Sequence, residues 1–405
     1  MAMSLVVGPD ARGRRVAIVE GRVVAEAPAG AAHLPCPDGI IAPGAVCAHT
    51  HFYSGLARYD MPAPEPAPQN FLQILERVWW RLDRALDAES LAASARDYVA
   101  RALLAGTTTL IDHHESPSFI EGSLAVLAQA CEEFGARALL CYGATERNFG
   151  RDEGRRGLEE CRRVKASPLV RGLVGLHASF TVSDATICEA GELAGELGTV
   201  VHVHVAEDEA DVDDPRRRGY AGSLERLFAK NALPPGSILA HGVHLSRVQV
   251  QRAAAAGCWF VQNPRSNEGN RVGYASSLAA AAPRVALGTD GWEADMDAEA
   301  AALRRLAALH GDADFEGRLA AGHALAAERF GAAPAPLAVG SLGDLVIRRD
   351  GRIVHVVVDG RVVVENGVLT HGDLVAITEA ARKQAGRLWA RMAETTVKPY
   401  DPKDA

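Results

Sequence analysis

Residues His49, Thr50 and His51 close an apolar run that begins at Pro43. Side chains at i and i+2 of a strand leave the same side, so the two imidazoles can address one point in space. Such a pair suits a borderline cation such as zinc or ferrous iron. Alone, it is equally consistent with a polar strand end, and further donors must come from elsewhere in the chain. Four other apolar runs end on groups of similar chemistry. Val170 to Leu176 is followed by His177, and Val200 to Val205 carries His202 and His204 with Glu207 just beyond. Ser237 to Ala240 is followed by His241, and Arg284 to Gly288 by Thr289 and Asp290.

These runs belong to a regular alternation. The first spans Gly39 to Ala48, and the others are Thr107 to Ile111, Ala136 to Tyr142 and Cys258 to Gln262. Between them lie stretches of helical periodicity, such as Leu91 to Ala105, Ile120 to Phe134 and Asp184 to Leu197. Near-continuous apolar strands alternating with helices indicate a parallel sheet covered on both faces. Eight units over about 250 residues predict an α/β chain folded as a (β/α)8 TIM-like barrel, residues 41–335, with its chemistry at the C-terminal strand ends. Both chain ends read differently. Glu20-Gly21-Arg22-Val23-Val24 is nearly repeated at Asp359-Gly360-Arg361-Val362-Val363, among short β-type runs broken by Asp-Gly and Glu-Gly turns. Residues 1–40 and 336–375 are therefore expected to build one small β-sandwich, followed by a C-terminal helix and tail over 376–405.

The bulk composition narrows the partners. A net charge of −8 without basic clustering argues against nucleic acid. No stretch has the length and purity of a membrane span, and no secretory signal is visible. Seven scattered cysteines without a Cys-x-x-Cys pair fit a reducing, cytoplasmic setting. A small-molecule substrate is the expected partner.

The ordered set of His-x-His, His-x-x-Glu, Ala240-His241-Gly242-Val243-His244-Leu245 and Gly288-Thr289-Asp290-Gly291 resembles the amidohydrolase superfamily, in its mononuclear-metal aminohydrolase branch. Asn70 to Asp83, Gly175 to Thr181 and Asn263-Pro264-Arg265-Ser266-Asn267 resemble its SsnA-type members. The resemblance implies one divalent metal, zinc first and iron second, held by His49, His51, His204 and Asp290. It implies that Glu207 shuttles a proton to a ring nitrogen, that Asp290 takes the proton of the metal-bound water, and that His241 steadies the tetrahedral intermediate. The implied reaction is deamination of a purine-, pterin- or pyrimidine-like heterocycle by metal-bound hydroxide, with release of ammonia. His177, Arg147 and His114 are expected to touch the substrate, and a homodimer is expected from the family. His202 should be a core hydrogen-bonder beneath His204, and His244 structural. Trp79 and Trp80 read as core rather than as a stacking platform. The Pro-rich stretch Phe52 to Gln69 reads as a structureless lid over the pocket.

Two departures and three rivals accompany that reading. Trp292 stands where SsnA-type chains carry a small or apolar residue and would reshape the pocket. The segment from Ala321 to Gly343 is shorter than usual. A dinuclear cyclic amidase would need a bridging Lys at the end of strand four, where Leu176-His177-Ala178 has none. A mononuclear ring-opening amidohydrolase, similar to imidazolonepropionases, shares nearly the same donors and is the alternative. A non-catalytic binding barrel would be expected to have lost donors, and none is missing.

Overall fold

The computed structural model describes residues 3–400. Residues 1–2 and 401–405 of the expected terminal segments lie outside the described residues. Eight parallel strands form the central sheet: Ala45–Thr50, Thr107–His114, Arg137–Ala144, Val174–Ala178, Val201–Val205, Ile238–His241, Trp259–Gln262 and Val285–Leu287. They pair in chain order. The first and last meet through a parallel bridge between Thr50 and Asp290, with Thr289 N donating to His49 O at 2.9 Å. The sheet is a nearly closed barrel. Strands two to five are buried at every position, as strands covered by helices outside and side chains inside must be. The intervening helices carry local start and stop signals. Asp184–Leu197 begins at Ser183, whose side chain accepts from Thr186 N, and stops at Gly198, whose φ of 61° suits glycine.

Two strands differ from the sequence reading. The second continues past Ile111 to His114, and the fourth splits, with Val170–Gly172 pairing beside strand three and only Val174–Ala178 joining the barrel. The stretch after His51 also differs. Phe52–Arg58 is a 3-10 helix with Phe52, Tyr53 and Leu56 buried, because these large apolar side chains pack inward while Asp112 accepts from Phe52 N at 2.6 Å.

Both chain ends supply the smaller layer. Ser4–Asp10, Val16–Val19, Arg22–Val24 and Ala32–Cys36 form one sheet. Ile40–Pro43 runs antiparallel to Leu345–Arg349, so the second sheet joins both ends of the chain. Leu5, Val7, Ile18, Ile41, Leu345 and Ile347 fill the space between the sheets. The shortened segment before Gly343 still closes this junction, with Leu342 bridged to Arg22 and Gly343 N donating to Gly21 O.

One buried arginine pins this layer to the barrel. Arg137, on strand three, donates to Asp344 at 2.7 and 3.0 Å and to Asp359 at 3.0 Å. Its guanidinium also lies 4.8 Å from the centroid of the Phe330 ring. Removing one member of a buried ion pair strands the other charge, at a cost of about 3–5 kcal/mol. Arg137→Ala is therefore expected to lower the unfolding free energy measured by chemical denaturation by an amount of that order, with a lower midpoint. An unchanged midpoint would mean that the two layers are held together otherwise.

Candidate active site

The C-terminal ends of strands one, five and eight bring four donor groups together. His51 Nε2 lies 2.8 Å from Asp290 Oδ1 and 3.4 Å from His204 Nε2. His49 Nε2 lies 3.3 Å from the same Asp290 oxygen. Single atoms of His49, His204, His241 and Asp290 all fall within 4.8 Å of one another. The outer nitrogens fix the tautomers. His51 Nδ1 donates to the carbonyl of His113, and His204 Nδ1 donates to that of His177 at 2.7 Å. In the neutral rings both Nε2 atoms then carry lone pairs, and they face each other beside a carboxylate, a donor set that fits a divalent metal. His202 Nε2 lies 2.9 Å from His49 Nδ1, in the hydrogen-bonding position expected of it.

Glu207, three residues beyond His204, reaches the same point from the side. Its Oε2 lies 3.5 Å from His241 Nε2, and its Oε1 accepts from Asn270 at 3.3 Å. Burial, and then the charge of Asp290, push its carboxyl well above the ordinary range, so it is suited to hold and pass a proton. His241 Nδ1 is held by Asn267 Oδ1 at 2.9 Å, which aims Nε2 toward the cluster. Ser266 Oγ donates to Asp290 Oδ2. Positive φ angles at His241 (73°) and Asp290 (54°) place both in the left-handed region. Non-glycine residues occupy that region at a cost of about 1–3 kcal/mol, and such positions cluster at functional sites.

The three residues expected to touch substrate fare differently. His177 lines the cavity above the cluster. His114 does not: it is buried against the Tyr142 ring, with Nε2 bonded to Ser116 Oγ at 2.8 Å. Strand two alternates faces, so His113 takes the inward position, 4.5 Å from His204 between ring centroids. Arg147 does not line the cavity either. Its guanidinium donates to Asp83 Oδ2 at 2.8 Å and sits 4.7 Å from the centroid of the Trp80 ring. A buried carboxylate outcompetes a distant ligand for that charge. His244 is exposed.

Glu115 was not singled out in the sequence. It is buried, lines the cavity, and bonds His113 Nδ1 at 2.7 Å. Burial alone would raise its carboxyl; the His113 ring and its hydrogen bond outweigh that and hold it below the ordinary range. Asn267 and Ser266 were legible only as part of Asn263-Pro264-Arg265-Ser266-Asn267, without individual roles.

The cavity is roofed by the helical segment Phe71–Ala85 rather than by the Pro-rich stretch, from which only Tyr53 contributes. Phe71, Leu75, Trp79, Trp80 and Asp83 line it, at the three- to four-residue spacing that defines one helix face. A π-type turn at Leu75–Trp79 interrupts this helix, a device frequent at functional sites. Trp80 is buried in a hydrophobic cluster with Phe71, Leu75 and Phe180, and Trp79 packs against it, as the core reading expects; the same two side chains also line the cavity, so this apolar stripe faces a core and a pocket at once. Trp292 does not enter the cavity; it is 46% exposed and packs beside Arg265. The chain's last described residues hold the roof in place. Arg81 donates to Met392 O at 2.8 Å and to Thr395 O at 3.1 Å, and Tyr400 N donates to Glu76 Oε1 at 2.8 Å. The Tyr400 ring meets Phe180 edge-on, 5.3 Å between centroids.

Residues 40–363 match the sequence pattern of the amidohydrolase family. This chain belongs to that family. It is accordingly a metal-dependent hydrolase of C–N bonds, and among its described residues no helix is long and apolar enough to cross a membrane. The amidohydrolase is 29% identical over 333 residues to 8-oxoguanine deaminase of Pseudomonas aeruginosa, covering 75% of this chain and 72% of that protein. It is 29% identical over 287 residues to 5-methylthioadenosine/S-adenosylhomocysteine deaminase of Thermococcus sibiricus, covering 67% of this chain and 62% of that one. Its fold matches an adenosine deaminase from Xanthomonas campestris with bound zinc, at a TM-score of 0.80 and 23% identity, over 95% of this chain and 98% of that one. It likewise matches the zinc complex of atrazine chlorohydrolase from Arthrobacter aurescens, at a TM-score of 0.76 and 19% identity, over 94% and 100% of the two chains.

Proposed function

We propose that this amidohydrolase removes ammonia from an aminated, purine-like heterocycle by hydrolysis, with one zinc ion held by His49, His51, His204 and Asp290. The observation that carries this reading is the pair of facing Nε2 atoms of His51 and His204 at 3.4 Å beside Asp290, opening on a cavity walled by aromatic rings. The deaminase names of the relatives support it. When bound, the cation supplies Lewis acidity that makes a water nucleophilic near neutral pH. The chain's own groups do the rest. Asp290 accepts a proton from the attacking water. Glu207 delivers a proton to the ring nitrogen, so that the ring carbon can take up the oxygen. The proton held by Asp290 then passes to the amino group, which leaves as ammonia, and the proton of the new hydroxyl returns to Glu207 as the carbonyl forms. His241, fixed by Asn267, donates or accepts at the new oxygen. A cytoplasmic setting belongs to the same reading, supported by seven free cysteines, six of them buried.

Two measurements test it together. Purified protein should carry about one equivalent of zinc, and ammonia release should be measured across purines, pterins, pyrimidines and triazines. Chelation should abolish release and added zinc restore it. Two equivalents of metal, or a product that retains its nitrogen in an opened ring, would replace this reading with a dinuclear or ring-opening one.

A further inference from the structure

Thr50 stands between the two imidazoles of strand one and faces the opposite side. It is buried, and its Oγ1 lies 3.1 Å from Asp290 O, 3.2 Å from Thr289 Oγ1 and within hydrogen-bonding reach of the Tyr98 hydroxyl. Tyr98 belongs to Ala88–Leu104, one of the helices around the barrel, and is buried as well. Its hydroxyl donates to Trp292 O at 2.7 Å and lies 3.3 Å from Thr289 Oγ1. A phenol carries one proton. With that proton on Trp292 O, the Tyr98 oxygen is left to accept from Thr50 and Thr289.

These contacts converge on one turn, Thr289 to Trp292, which carries Asp290. Asp290 has a φ of 54°, a conformation that a non-glycine residue keeps where its surroundings impose it. Strand one bonds the near side of the turn: Thr289 N donates to His49 O at 2.9 Å, and His51 N donates to Asp290 O at 3.2 Å. Ser54 Oγ donates to Gly291 O at 2.9 Å. Tyr98 ties the far end, at Trp292, back to the hydroxyls of Thr50 and Thr289. So held, the turn brings Asp290 Oδ1 to 2.8 Å from His51 Nε2 and 3.3 Å from His49 Nε2. Tyr98 does not line the cavity above these groups, so it reaches the site through the turn rather than by touching a substrate.

We propose that Tyr98 is a positioning residue for Asp290: through Thr50, Thr289 and Trp292 it holds the turn so that the carboxylate faces His49 and His51, where it can help hold the cation and take the proton of the attacking water. The His49-Thr50-His51 segment then serves the site with all three side chains, two as donors and the middle one as the link between Tyr98 and the backbone of a third donor. This rests on the proposed metal site and adds to it a residue from a helix outside the barrel.

Tyr98→Phe removes the hydroxyl and keeps the ring, which stacks on Phe52 at 5.3 Å between centroids. In the full chain, zinc affinity from competition titrations is expected to fall about 10–100-fold, the range seen when an outer partner of a metal-holding side chain is lost. At saturating zinc, kcat for ammonia release from 8-oxoguanine or 5′-deoxyadenosine is expected to fall about tenfold or more, with KM within about twofold of wild type. Thr50→Val keeps the branched shape of the side chain, is expected to act in the same direction, and stays readable if Tyr98→Phe does not fold. A fall in zinc affinity or in kcat supports the proposal. A hydroxyl that served stability alone would lower the denaturation midpoint and leave both quantities unchanged; that result, or a loss confined to KM, overturns it. If neither compound releases ammonia, the deaminase reading fails on its own and the zinc titration decides this one. If wild type binds no zinc, the metal site fails on its own, and amide hydrogen exchange of the metal-free chain decides. The amides of Thr289, Asp290 and Trp292 should then exchange at least about tenfold faster in Tyr98→Phe than in wild type, with strands two to four unchanged; equal exchange overturns the proposal.

Discussion

Glu207→Gln should leave the metal in place and remove nearly all turnover. The amide keeps the size of the side chain and an oxygen that can still accept from Asn270, which now bonds Oε1 at 3.3 Å. What it loses is the exchangeable proton that faces His241 Nε2 across 3.5 Å. Positioned acid–base groups contribute about 10²–10⁴-fold to a rate, and kcat should fall by a factor in that range with about one equivalent of zinc retained. A fall of less than tenfold would take Glu207 out of proton transfer. A protein stripped of zinc would move Glu207 from acid–base work to holding the metal.

His204→Ala and His202→Ala should separate a donor from the residue behind a donor. The two stand two residues apart on one strand and are both buried. His204 turns its Nε2 to the cluster, whereas His202 bonds the far nitrogen of His49 and, through its own Nδ1, the Cys141 thiol. Outer partners of metal-binding histidines are worth about 10–100-fold in affinity, so His202→Ala should weaken zinc by about that factor. His204→Ala removes a donor outright and should weaken it by more than about 100-fold, yielding protein with little zinc and no measurable turnover. Zinc competition titrations give both numbers. Equal losses in the two variants, or a larger one for His202→Ala, would reverse the assignment.

The difference between those two histidines shows what a sequence carries. Period-two alternation and the strand-end rule of a barrel are local signals, and they collect His49, His51, His177, His202, His204, His241 and Asp290 together; the choice of His204 over His202 comes only from the resemblance to the aminohydrolases, because the two share one face. Where a strand ends is less local. Strand two runs three residues beyond Ile111, and that extension decides that His113 turns inward and His114 outward. Arg147 failed for a different reason. Its partner Asp83 lies 64 positions earlier, and no short-range pattern announces that a helix from before strand two will fold over strand three. Glu115 and the two roof tryptophans share that fate: their roles depend on which side of a pocket they meet.

The roof is fastened by Met392, Thr395 and Tyr400, and the small domain's second sheet is completed by Leu345–Arg349 onward. During synthesis the donors at His49, His51, His204, His241 and Asp290 are therefore all available before either fastening exists. A chain interrupted after the last barrel helix would carry these five residues under a roof that keeps its Arg147–Asp83 pair and lacks its ties to the tail. The order of translation thus places the residues of the proposed metal site ahead of the tail that completes the roof over them.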